Sequence, residues 1–169
     1  MGPAPRRRGL AALGSLLFLL VAPGCVAGLI PWLLTGWRME SAPLAVRIAG
    51  GALIVLGLAF LLHAFARFVV EGLGTPAPVA PTERLVIGGV YRHVRNPMYL
   101  AVGATIVGQA LLLGRFGLLA YAAAFGVTVF SFVRLYEEPT LSDRFGASYD
   151  AYRRAVPGWM PRLHPWEGD

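Results

Sequence analysis

Four apolar runs, separated by short polar stretches, constrain this chain more than anything else in it. They cover residues 10–34, 44–70, 98–113 and 116–136. A helix rises ~1.5 Å per residue, so about 20 residues cross a hydrocarbon core of ~30 Å. Lipid supplies no partners for backbone amides, so each run must be helical. With 56% hydrophobic and 14% charged residues and a mean hydropathy of +0.61, the chain reads as an integral membrane protein. The expected fold is all-α, with about four transmembrane helices, the last two forming a tight hairpin across Gly114-Arg115-Phe116-Gly117. The third run is short, and crosses fully only with difficulty. Pro23 and Pro31 predict a kink in the first run, and the spacing of Gly24 and Gly28 is a common helix-packing pattern.

Two segments do not span. Residues 72–89 carry Pro76, Pro78 and Pro81, which stiffen the chain into extended form. After Pro139, Thr140 with Asp143 reads as a capping box. Leu141, Phe145, Tyr149, Tyr152 and Val156 then recur at helical spacing, which predicts an amphipathic helix lying in the interface. Gly146 interrupts that pattern. No internal repeat is present, and the chain reads as a single membrane domain, 1–169, with a two-helix segment at 10–70 followed by residues 73–165.

All 15 basic residues are arginine, and the formal net charge is +6. In a chain this apolar, such charge suits anionic lipid and not nucleic acid, which requires a soluble basic face. With the amino terminus cytoplasmic and four crossings, Arg38, Arg47 and Arg115 lie outside and the other arginines inside. That distribution satisfies the positive-inside rule and predicts an inner-membrane protein with both termini in the cytoplasm. Arg6-Arg7-Arg8 before an apolar run imitates a secretion signal, but apolar character continues through Ile30 and Leu34, as a span requires. Cys25 is the sole cysteine, which excludes a disulfide framework, and no histidine pair stands at ligand spacing, so no metal is expected.

Chemistry concentrates in two places that this topology brings to one face. The stretch 89–99 packs Arg92, His93 and Arg95, the rings of Tyr91 and Tyr99, and Asn96-Pro97 against the start of the third span. Glu137-Glu138 ends the fourth span at the negative end of a helix dipole, where a cation is preferred and compensation is needed. A local ion pair with Arg134 is one reading; a carboxylate facing a cationic ligand is the other. His63 and Arg67 share one face of the second span, a buried hydrogen-bonding role and a catalytic one being both open for His63. If the arginines and glutamates only set topology, the chain is a non-catalytic helical membrane protein. A small transporter fits less well, because four spans leave little room for paired repeats.

The stretch 91–99, Glu137-Glu138, Leu141, Phe145-Gly146, Tyr149, Tyr152 and Val156-Pro157 together resemble the isoprenylcysteine carboxyl methyltransferase family, a relative of the phospholipid methyltransferases. The resemblance covers residues 73–165, and the first two spans read as generic. It implies a membrane enzyme that uses S-adenosylmethionine in a pocket at the cytosolic face, capped by the loops around the last hairpin. By position it implies cofactor contacts from Glu83, Arg84, Leu85, Val86, Tyr91, Asn96, Pro97, Met98, Tyr99 and Glu137. The family commonly has histidine where Asn96 stands, and an arginine near Val133, where this chain offers Arg134. Chemically, Glu137 would answer the cofactor's amino group and an arginine its carboxylate. Tyr91 or Tyr99 would face the sulfonium, a contact worth about 0.5–2 kcal/mol. No catalytic residue is assigned; Arg134, Glu138 and His93 are the weak candidates, and His93 or Glu138 would be the general base if the acceptor is an amine or phenol that must lose a proton. The bilayer and a lipophilic acceptor, or a small thiol or carboxyl compound, are the expected partners.

Overall fold

The computed structural model describes residues 5–72 and 85–168, and among them the chain is all-helical. The helices are α1 (Pro5–Gly24), α2 (Ile30–Thr35), α3 (Leu44–Arg67), α4 (Pro97–Leu113), α5 (Gly117–Phe132), α6 (Glu138–Phe145) and α7 (Ala147–Ala155). Widened π turns at Cys25–Leu29, Phe68–Gly72 and Val133–Glu137 join α1 to α2, extend α3, and join α5 to α6. Among the described residues, three continuous helices are long and apolar enough to cross a membrane: Leu16–Thr35, Leu44–Arg67 and Gly117–Phe145. The fourth expected span, α4, has 17 residues, about 25 Å of helix, and is enclosed by the others along much of its length. Ala101, Val102, Thr105, Ile106, Gly108, Gln109, Ala110 and Leu113 are all buried.

Small residues bring α3 and α4 together. A Cβ on Gly108 would lie 2.7 Å from Ile54 Cγ1 and 2.8 Å from the Gly50 carbonyl, and one on Gly57 would lie 2.7 Å from Thr105 Oγ1. Backbone contact this close is how helices associate where lipid removes the hydrophobic drive. The glycines doing so are Gly50, Gly57 and Gly108; Gly28, singled out in the sequence, has open space beside it.

The kink expected in the first run is a π turn between Pro23 and Pro31. Ile30 donates to the Cys25 carbonyl, one residue further back than in an α-helix, and Pro31 has no N–H. The Val26 and Ala27 carbonyls therefore lose their donors. Tyr121 Oη donates to Val26 at 2.8 Å and Gln109 Nε2 to Ala27 at 2.7 Å.

After α5 the structure departs from the expected capping box. The helix runs on through Pro139 to Phe145, because the π turn at Val133–Glu137 places Glu138 N–H on the Val133 carbonyl and leaves proline in the first turn of α6. The Thr140 hydroxyl bonds the Tyr136 carbonyl at 2.7 Å and caps nothing. The amphipathic carboxyl-terminal helix is divided in two at Gly146, whose φ of 52° and ψ of −131° suit only glycine. Its Tyr149, Tyr152 and Val156 are buried against Leu85 and Ile87 of the preceding loop and Trp166 of the tail.

Candidate functional site

Residues 92–96 form an elbow between a 3₁₀ turn (Gly89–Arg92) and α4. The tail runs beside it: Arg95 N–H donates to Pro157 O at 2.9 Å, Asn96 N–H to Gly158 O at 3.3 Å, and Arg162 N–H to His93 O at 3.0 Å. Trp159 stacks near Tyr99 at 6.4 Å and Phe130 at 5.8 Å. Tyr152 Oη donates to the Tyr91 carbonyl at 2.7 Å, and Tyr91 packs against Phe68 with ring centroids 5.5 Å apart.

The acidic pair folds back onto this elbow. Tyr99 Oη donates to Glu137 Oε2 at 3.0 Å. Glu138 is buried and meets Arg95 at 2.7 Å, Arg153 at 3.1 Å and Arg134 at 3.2 Å. Arg95 also donates to Val156 O at 2.9 Å and Tyr149 Oη at 3.1 Å. Because the helix continues through Pro139, Glu138 does not sit at the negative end of a helix dipole as the sequence suggests; what its burial demands is charge compensation, and three guanidiniums supply it, two of them from outside that helix. Burial holds the Tyr91 and Tyr152 hydroxyls well above their ordinary range, so both are neutral.

Between elbow, α5 and α6 lies a cavity of about 510 Å³, within the usual ~300–1,000 Å³ of small-molecule sites. Leu85, Val86, Tyr91, Asn96, Pro97, Met98, Tyr99 and Glu137 all line it. Glu83 and Arg84 lie outside the described residues. Of the weak catalytic candidates, Glu138 lines the cavity but is saturated by arginines. Arg134 and His93 do not line it. Arg134 pairs with Glu138, and His93 Nδ1 is 2.9 Å from the Arg162 carbonyl, which makes it a tail anchor.

Asn96 occupies the N-cap of α4, yet its side chain makes no capping bond, forgoing about 1 kcal/mol. Its Nδ2 is buried in the cavity wall without a partner among the described residues. Arg144 of α6, three residues beyond Leu141 and seven beyond Glu137 of the preceding π turn, lines the cavity, makes no ion pair among the described residues, and lies 5.4 Å from the Phe145 ring centroid. Sequence reasoning passed over Arg144, although its spacing of seven from Glu137 was available. It also passed over an apolar limb formed by Phe18, Pro23 and Val26 with Phe65, Phe125 and Phe132.

A family model described as phospholipid methyltransferase matches residues 45–148. The chain belongs to the phospholipid methyltransferase family. The match reaches back through α3, so the second span, which reads as generic in the sequence, is part of the family pattern; the tail beside the elbow lies beyond its end. Within the curated relatives, a "Protein-S-isoprenylcysteine O-methyltransferase" of Schizosaccharomyces pombe (strain 972 / ATCC 24843) is 34% identical over 82 residues, covering 47% of this chain and 34% of that protein. The alignment thus spans about a third of the relative's length. No solved structure matches.

Proposed function

We propose that this phospholipid methyltransferase family member is a membrane methyltransferase that binds S-adenosylmethionine in the elbow cavity and methylates an acceptor with an apolar body. The observation that carries the reading is the set of polar groups in one cavity: a buried Asn96 Nδ2 and an Arg144 guanidinium that find no hydrogen-bond or ion-pair partner, respectively, among the described residues, and the Glu137 carboxylate that accepts from Tyr99. These fit a ligand with an acceptor atom, an amino group and a carboxylate, and the Tyr91 and Tyr99 faces suit its cationic sulfur. When bound, S-adenosylmethionine supplies a methyl group on a sulfonium, transferred in line to a nucleophile.

The chain's own contribution is binding, alignment and exclusion of water. Glu137, oriented by the Tyr99 hydroxyl, receives the amino group; Arg144 receives the carboxylate; Asn96 donates to a polar edge. Tyr91 is held rigidly by Phe68 and Tyr152, so its face is preorganised. The apolar limb accepts the acceptor's hydrocarbon and keeps the reacting atoms dry. Among the described cavity residues, Glu138 is committed to arginines and Glu137 to the cofactor, which favours an acceptor needing no general base, a thiolate or carboxylate. The arginine distribution supports a site opening to the cytoplasm.

The test is titration of the folded protein in lipid nanodiscs with S-adenosylmethionine. Wild type binds, Glu137→Ala weakens binding about tenfold or more, and helical content is unchanged. Well-folded wild type that binds neither the cofactor nor its demethylated product overturns the reading. Methyl-labelled cofactor added to native membranes then identifies the acceptor.

A further inference from the structure

Arg67 and Glu71 pair on the inner end of α3, yet neither lines the cavity, and His63 on the same face is equally outside it. What they touch is the glycine pair that opens the elbow. Gly88 N–H donates to Glu71 Oε2 at 2.8 Å. Gly88 packs so tightly on Glu71 and Arg67 that a Cβ has no room. Gly89 has φ +58°, and a Cβ there would lie 2.6 Å from His63 Nε2 and 3.1 Å from Arg67 Nε. The next turn is registered from this point, Tyr91 N–H bonding to Gly88 O at 3.2 Å. On either side of the glycine pair, Val86 and Tyr91 pack on Ala64, which is fully buried.

We infer that His63, Arg67 and Glu71 form a latch on α3 that grips Gly88-Gly89 and thereby sets the position of the Leu85, Val86 and Tyr91 wall. They are positioning residues for cofactor binding, an inference that rests on the function proposed above. Ionisable groups at a membrane border are expensive to keep without a task, and here the task is anchoring a loop that has no regular structure of its own between 85 and 88. A carboxylate accepting from a backbone N–H makes a stronger bond than a neutral acceptor would, and the guanidinium beside it holds the carboxylate in one rotamer. Glycine is required twice, once for space and once for its left-handed backbone.

The experiment compares wild type, Glu71→Ala, Glu71→Gln and Gly89→Ala, all full length in nanodiscs, by two readouts. Hydrogen exchange of the peptide spanning 85–92 reports the latch without any ligand. Cofactor titration, with the split of KM for S-adenosylmethionine against kcat, reports its consequence. Glu71→Ala and Gly89→Ala are expected to accelerate exchange at 85–92 and to raise Kd and KM about tenfold, with kcat at saturating cofactor little changed. Glu71→Gln retains an oxygen acceptor for Gly88 and recovers most of the affinity. Wild-type exchange rates in Glu71→Ala and Gly89→Ala overturn the latch. Faster exchange with unchanged affinity overturns its role in cofactor binding. A wild type that binds no cofactor overturns that role together with the proposed function, while the exchange comparison still decides whether the latch exists.

Discussion

Removing the Glu138 carboxylate should cost far more than removing any one of its exposed partners. The Glu138 side chain is 7% exposed, Arg95 12%, Arg153 37% and Arg134 62%. Glu138→Ala leaves Arg95 a buried cation without a counter-ion, a change worth about 3–5 kcal/mol. The value should fall toward 3, since Arg95 keeps its bonds to Val156 O and Tyr149 Oη. Arg134→Ala and Arg153→Ala remove only solvent-screened pairs, each worth about 0.2–1 kcal/mol. Arg95→Met with Glu138→Leu removes both buried charges at once and should be much milder than Glu138→Ala alone. The assay is denaturant unfolding in mild detergent, followed by tryptophan fluorescence, because Trp159 and Trp166 sit on the tail that Arg95 holds through Val156. If Glu138→Ala costs no more than Arg153→Ala, or if the double substitution costs as much as the two single ones combined, the account of a buried network tying α6 to the elbow is wrong.

Two further perturbations probe other parts of the fold. Gly108→Ala inserts a methyl against Ile54 and the Gly50 backbone and should destabilise the α3–α4 pair by about 1–3 kcal/mol, whereas Gly51→Ala, inside α3 but beside open space, should be neutral or stabilising by up to about 1 kcal/mol; thermal unfolding in the same detergent compares them. Burial raises the Tyr91 and Tyr152 hydroxyls above the ordinary value of 10.0. Above that pH the unfolded chain releases protons that the folded one retains, so stability present at neutral pH is lost as the medium becomes more alkaline. Tyr152→Phe should shallow that decline and cost about 1 kcal/mol at neutral pH through the lost bond to Tyr91 O, measured as denaturant midpoints at pH about 8 and about 10.5.

The apolar runs and the elbow were legible because lipid and charge leave few options. Leu44–Arg67 must be helical, and Tyr99, Arg95, Glu137 and Glu138 have few places to go other than against one another at a helix border. What periodicity does not mark is a change of helical register. The expected helix start at Thr140 fails because a π turn carries α5 through Pro139, and a proline after two glutamates reads equally well as a boundary. Arg144 was hidden by the same error: with the helix restarted at Thr140, its alignment with Glu137 disappears. The packing glycines were obscured for another reason. Gly50, Gly57 and Gly108 matter through the partner helix, which no single stretch of sequence identifies, and the more visible Gly24 and Gly28 pair has little against it.

The three widened turns share a consequence. Val26 from Cys25–Leu29, Phe68 from Phe68–Gly72, and Val133, Tyr136 and Glu137 from Val133–Glu137 all line the cavity. An α-helix presents a closed cylinder of satisfied backbone, and packed cylinders leave only narrow grooves. Inserting one residue per turn bulges the backbone, frees carbonyls and tilts the next segment, which opens space beside it. In lipid such a defect persists only where polar partners reach the freed carbonyls, as Gln109 and Tyr121 do for the first turn. The polar residues on the membrane-buried faces of α4 and α5 therefore bear on the site without touching it: they permit the irregular backbone from which its walls are made.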